Sequence, residues 1–91
     1  MSSNYAIVIT KDAEKQISKL QKPDKKRVLD LIESLGNDPR PHGYKKLEGF
    51  HGEKIYRIHA GHFRIFYLIE DGKLTVYVVE VVKRNEKTYK F

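Results

Sequence analysis

From Glu53 to Arg84 the sequence reads EKIYRIHAGHFRIFYLIEDGKLTVYVVEVVKR, three blocks rich in Ile, Val, Tyr and Phe with two short breaks between them. The breaks are Ala-Gly-His at 60–62 and Asp71-Gly72. β-Branched and aromatic residues suit a pleated, half-buried surface. Asp-Gly between apolar runs predicts a type I′ hairpin, because both central residues of that turn need positive φ. The stretch therefore predicts three consecutive antiparallel strands, and everything else in the chain must pack around them.

The turns decide which side chains share a face. With Asp71-Gly72 as a two-residue loop, Arg64 falls opposite Val79 and Phe66 opposite Tyr77. With a two-residue first turn, Arg57, His59 and Arg64 project from one face beside Phe66 and Tyr77; a three-residue turn would reverse that parity. Cationic groups one strand spacing apart repel each other, which costs stability unless an anion sits among them. Together with Lys83 and Arg84 at the end of the next strand, the cluster reads as a phosphate site rather than a solvated sheet face.

Ninety-one residues predict one domain, spanning 1–91, with a single core and a shallow groove in place of an enclosed cavity. Lys and Arg outnumber Asp and Glu by 18 to 12, a net charge of +6 that favours nucleic acid, the ribosome or an acidic protein as partner. The chain has no cysteine, which excludes disulfides, thiolate chemistry and Cys-based zinc sites. It has no apolar leader after Met1 and no run near the roughly 18 apolar residues of a membrane span, so the expectation is a cytoplasmic protein without membrane contact. The histidines at 42, 51, 59 and 62 lack convergent partners, so no metal site is read. Glu70, Asp71 and Glu80 are too dispersed for a paired-carboxylate hydrolase, and no Gly-rich loop precedes a helix, so no small-molecule cofactor is expected.

Tyr5 to Thr10 (YAIVIT) predicts a short strand. Thr10 then suits a helix N-cap, with Asp12 and Glu14 in the first turn and Ala13, Ile17 and Leu20 as one apolar stripe. Pro23 predicts the start of a second helix, buried through Val28, Leu31, Ile32 and Leu35 and ended by Gly36 in the left-handed conformation. Lys22, Lys25, Lys26 and Arg27 lie on its other side, as solvated surface or as phosphate contacts distant from any reaction centre. Residues 37–43 (NDPRPHG) predict a loop, and 44–50 (YKKLEGF) a brief extended piece centred on Leu47. The strands of the main stretch are apolar on both sides, whereas two helices cover one face. The other face calls for the chain's own tail or another protein. The tail itself, 83–91 (KRNEKTYKF), reads either as a frayed terminus or as a ligand-contacting segment in which Tyr89 stacks on a base and Arg84 and Lys87 lie near phosphates.

The strings KKLEG at 45–49 and YRIHAGHFRIFY at 56–67, and the ending Val-Lys-Arg followed after four residues by Tyr89, resemble the RelE/ParE superfamily of bacterial and archaeal toxins, more closely its RelE branch. The likeness extends over nearly the whole chain. It implies an α+β, microbial-ribonuclease-like fold: an N-terminal strand, a two-helix hairpin and a three-stranded antiparallel meander, with helices on one face. It also implies a cognate antitoxin as partner. For the RelE branch it implies cleavage of mRNA in the ribosomal A site, without a metal, by attack of the ribose 2′-hydroxyl on the adjacent phosphate. The ParE branch implies instead a toxin directed at DNA gyrase with no nuclease site.

Carried over by position, the resemblance implies catalytic roles for Arg57, His59, Arg64, Arg84 and Tyr89, and RNA contacts for Lys83, Lys87, Lys25 and Lys26. Two departures shape the expected mechanism. Arg57 stands where lysine is frequent, and a guanidinium is too basic to serve as general base. His59 replaces a usual Lys or Arg, and imidazole titrates near neutrality. The expectation is that His59 takes the 2′-hydroxyl proton, alone or together with an ordered water, the arginines stabilise the phosphate in flight and Tyr89 stacks on the nucleotide. A gyrase inhibitor and a basic binding module without activity are the rival readings.

Overall fold

The computed structural model describes residues 4–49 and 52–83. Their order is β1 (Ala6–Ile9), α1 (Lys11–Ser18), α2 (Lys22–Leu35), β2 (Lys45–Glu48), β3 (Lys54–Ala60), β4 (Phe63–Glu70) and β5 (Thr75–Lys83). The five strands form one sheet in the order β1-β5-β4-β3-β2. β1 runs parallel to β5, and the other pairings are antiparallel. The class is α+β as the sequence predicts. The extended piece around Leu47 adds a fourth antiparallel strand at the outer edge, with Leu47 opposite Ile55.

Both helices pack on one face. Ala13 and Ile17 of α1, and Val28, Ile32 and Leu35 of α2, meet Tyr56, Ile58, Phe63, Ile65, Tyr67, Val76 and Val78 in the main core. These are the alternate positions of each strand, as period-two geometry requires. Each such aliphatic side chain removed from water contributes about 1.5–3 kcal/mol, so the core rests on β4 and β5 at the sheet centre. Thr10 caps α1 as expected, its Oγ1 accepting from the Ala13 amide at 3.3 Å. On the opposite face Ile55, Phe66 and Val82 are buried with Leu47, Leu68 and Val79 around them. That face thus has a small apolar floor of its own, around which Leu47, Leu68 and Val79 stay only partly buried.

Three local expectations are corrected. Gly36 is right-handed (φ −66°, ψ −31°), not left-handed. Its lack of a side chain serves close approach: a Cβ there would stand 3.0 Å from the Tyr5 carbonyl oxygen, and Tyr5 donates its amide to the Gly36 carbonyl at 2.7 Å. Asp71-Gly72 does not form a type I′ loop. Residues Asp71–Lys73 make a 3₁₀ turn closed by Leu74 at φ 47°, so Glu70 pairs with Thr75. Finally, one extra residue, Val79, is inserted in β5 opposite the Phe66/Tyr67 junction. Arg64 therefore faces Val82 and Phe66 faces Glu80, not Val79 and Tyr77. Side chains of α1 satisfy backbone near this bulge, with Gln16 Oε1 accepting from the Val81 amide at 2.6 Å and Thr10 Oγ1 donating to the Val79 carbonyl at 3.4 Å.

The Asp71 turn is held by tertiary contacts, which explains its departure from the hairpin rule. Arg40 Nη2 lies 3.0 Å from Asp71 Oδ2, and the Tyr5 hydroxyl donates to Asp71 Oδ1 at 2.7 Å. The guanidinium also stands over the Tyr56 ring, 5.4 Å from its centroid, and Tyr56 stacks on Tyr67 at 5.7 Å. The Tyr67 hydroxyl donates to the Pro39 carbonyl at 2.8 Å, and burial raises its pKa above the ordinary phenol range. Arg40 and the Tyr5 hydroxyl together lower the Asp71 pKa. A depressed carboxylate stabilises the fold above the ordinary Asp range, and that contribution disappears as pH falls through the folded-state value. Asp71→Asn is accordingly expected to lower the melting temperature at pH 7, with the gap to the parent protein closing as pH falls below the ordinary Asp range. Thermal melts between pH 7 and pH 2.5 check this. In the core, Ile65→Ala should cost about 2–5 kcal/mol in urea unfolding.

Candidate active site

The first turn of the meander has two residues. Ala60 pairs with Phe63 across Gly61 and His62, and Gly61 takes φ +63°, the conformation such a turn favours in glycine. The conditional parity is therefore met. His59 is the direct cross-strand partner of Arg64, and Arg57 that of Phe66. Directly opposed residues lie on one face with Cβ atoms about 4.5–5.5 Å apart. This is the face away from the helices, where Phe66 and Val82 form the floor. Arg57 and Arg64 are half-buried on it and His59 is exposed.

A fourth cation joins them. Lys45 of β2 pairs with Arg57 from the other side, so it shares the same face. The sequence could not place it there, because the register of so short an edge strand is set only by docking. Its one legible sign was its place in a basic string just before the main strands. The result is a row, Lys45–Arg57–Phe66, beside a second, His59–Arg64–Val82. Arg57 Nε is a buried donor without a hydrogen-bond partner among the described residues. An orphaned buried donor costs about 1–3 kcal/mol, which the fold tolerates at this position.

The other expected site residues are dispersed. Lys83 pairs with Phe63, a core residue of the helix face, and lines a groove there with Gln16 and Lys19. Lys26 is paired with Asp30 of α2 at 3.0 Å, and Lys25 is half-buried on the same helix. Tyr77 pairs with Leu68, toward the far end of the sheet from His59. Arg84, Lys87 and Tyr89 lie outside the described residues. Chemically, the face offers guanidinium groups for an anion and one imidazole directly beside a guanidinium. Among the described residues no group of three or more His, Asp or Glu converges as a metal cage, and no helix is long and apolar enough to cross a membrane.

This architecture is that of a toxin of the RelE/ParE superfamily, nearer its RelE branch. The model of the family described as the ParE toxin of type II toxin–antitoxin systems, parDE, matches residues 7–88, and the chain belongs to that family. Among solved structures it is similar to the archaeal RelE–RelB complex from Pyrococcus horikoshii OT3, with 25% identity, 92% of this chain and 99% of that chain covered, and a TM-score of 0.79. It shares its fold with the RelBE2 toxin–antitoxin complex from Mycobacterium tuberculosis at 22% identity, with 92% and 95% covered and a TM-score of 0.78. It also shares it with the isolated E. coli RelE toxin at 17% identity, with 92% and 88% covered and a TM-score of 0.65. No curated protein sequence matches the chain.

Replacing Arg57 by Met keeps most of the stem and removes the unsatisfied Nε. Urea unfolding of Arg57→Met should show equal or greater stability, by up to about 1 kcal/mol. A loss of stability would mean that the guanidinium is held by contacts that offset its burial.

Proposed function

We propose that this toxin is a ribosome-dependent mRNA endoribonuclease that cuts in the A site, halts translation and is neutralised by a cognate antitoxin. The observation that carries the reading is the direct pairing of His59 with Arg64, with Arg57 on the neighbouring row of the same face. His59 removes the proton from the ribose 2′-hydroxyl. The 2′-oxygen attacks the adjacent phosphorus, the bond from phosphorus to the 5′-oxygen of the next nucleotide breaks, and that oxygen takes a proton from solvent. The products are a 2′,3′-cyclic phosphate and a 5′-hydroxyl. Arg57 and Arg64, joined by Arg84, bear on the extra negative charge of the pentacoordinate phosphate. Tyr89 stacks on the nucleotide, and Lys25, Lys26, Lys83 and Lys87 contact RNA backbone beyond the reacting phosphate. The nucleophile belongs to the substrate and the charge is met by arginines, so the mechanism requires no metal.

The RelE-like neighbours solved with RelB support the antitoxin as partner. A gyrase-directed, non-nuclease toxin is the second reading, favoured by the ParE description of the matching family.

Cell-free translation with purified toxin, followed by primer extension, separates the two. Ribosome-dependent breaks at A-site codons are expected, abolished in Arg84→Ala and slowed about 10²–10⁴-fold in His59→Gln with folding intact. Intact mRNA together with blocked gyrase supercoiling would replace the nuclease reading by the second.

A further inference from the structure

Beyond Arg57, β3 has no strand neighbour on its outer side among the described residues, since β2 pairs only with Lys54 to Arg57. α2 flanks this uncovered end. Between them lies an open groove of about 440 Å³ bordered by Arg27, Asp30 and Leu31 of α2 and by His59, Ala60 and Gly61 of the hairpin. The groove thus leads from the helix side to His59, around the edge of the sheet.

Its chemistry follows from two side chains. The Arg27 guanidinium rests on Gly61: a Cβ at that residue would stand 2.5 Å from Arg27 Nη1 and 3.0 Å from its Cδ. The turn thus confines the arginine stem, which lowers the entropy lost when the guanidinium takes a ligand. Arg27 has no ion-pair or hydrogen-bond partner among the described residues, whereas the acid in the groove, Asp30, is paired with Lys26. The positive charge of Arg27 is therefore left for a ligand, and guanidinium matches phosphate oxygens in a two-point contact.

We propose that this groove is a second phosphate position for single-stranded RNA, in which Arg27 holds a backbone phosphate flanking the nucleotide at His59 and Arg64. This rests on the nuclease reading above and extends it: the substrate strand passes around the β3 edge toward α2, so Arg27 contacts it near the reaction centre. Sequence spacing alone placed this arginine on a remote helix surface. The hairpin turn brings it to the site.

The test is binding of a fluorescein-labelled 12-nucleotide RNA, made uncleavable by 2′-O-methylation, to the full-length toxin, followed by anisotropy from 50 to 200 mM salt. Arg27→Gln is expected to weaken binding about 3- to 10-fold and to flatten the plot of log affinity against log salt by about 0.7, the loss of one single-strand phosphate contact. Arg27→Lys should restore the slope, which a fold defect would not allow. Equal affinity and slope in the parent and Arg27→Gln would overturn the proposal, as would no binding by the parent. So would an Arg27 effect seen only with an acidic peptide laid along the β3 edge. Arg27-dependent RNA binding by a toxin that leaves ribosomal mRNA uncut would remove the nuclease reading while the phosphate position stands.

Discussion

The two-residue turn at Gly61 and His62 sets the register on which the candidate site depends. One residue more in that turn would move Arg64 to the helix face and drive Ile65 and Tyr67 out of the core. The turn is held from both directions. Gly61 supplies the positive φ, and burial of Ile65, Tyr67, Val76 and Val78 penalises any slip of the central strands. Core packing and the cationic face are therefore two consequences of one register. The same turn, lacking a side chain at Gly61, also admits Arg27 from α2.

The face away from the helices gathers cationic side chains at one cost that the structure shows. Lys45, Arg57, His59 and Arg64 are neighbours across three strands, and Arg57 buries a donor without a partner among the described residues. Hydrophobic burial on the other side of the sheet offsets that cost. The apolar floor of Phe66, Ile55 and Val82 does so locally, by giving the basic stems a dry surface to lie on.

Much of this was legible in the chain. Blocks of Ile, Val, Tyr and Phe between turn signals marked the three long strands, Thr10 marked the start of α1, and His59 and Arg64 fell on one face on the condition, met in the structure, that the first turn has two residues. What escaped depended on tertiary contacts. The Asp71-Gly72 pair carries a hairpin signal, but Arg40 and Tyr5 hold the Asp71 carboxylate and a longer turn results. The Val79 bulge is invisible as a pattern because Val78, Val79, Val81 and Val82 suit either register. Gln16 and Thr10, remote in sequence, satisfy the backbone beside it. Gly36 looked like a left-handed stop, yet its glycine answers to the approach of Tyr5. Lys45 joined the site only through the docking of an edge strand. The roles proposed for Arg84 and Tyr89 rest on the composition of the tail and on the resemblance, since both lie outside the described residues.

The central claim is that a metal-free, 2′-hydroxyl-driven cleavage occurs on this face with His59 as the base. The chemistry of the cut end tests it most directly. Ribosomes programmed with a defined mRNA would be treated with the toxin, and the upstream fragment analysed by mass spectrometry. The account predicts a 2′,3′-cyclic phosphate at its 3′ end, and no cut when the A-site ribose at the scissile position is 2′-deoxy. A 3′-hydroxyl end, or cleavage that survives the 2′-deoxy substitution, would contradict it.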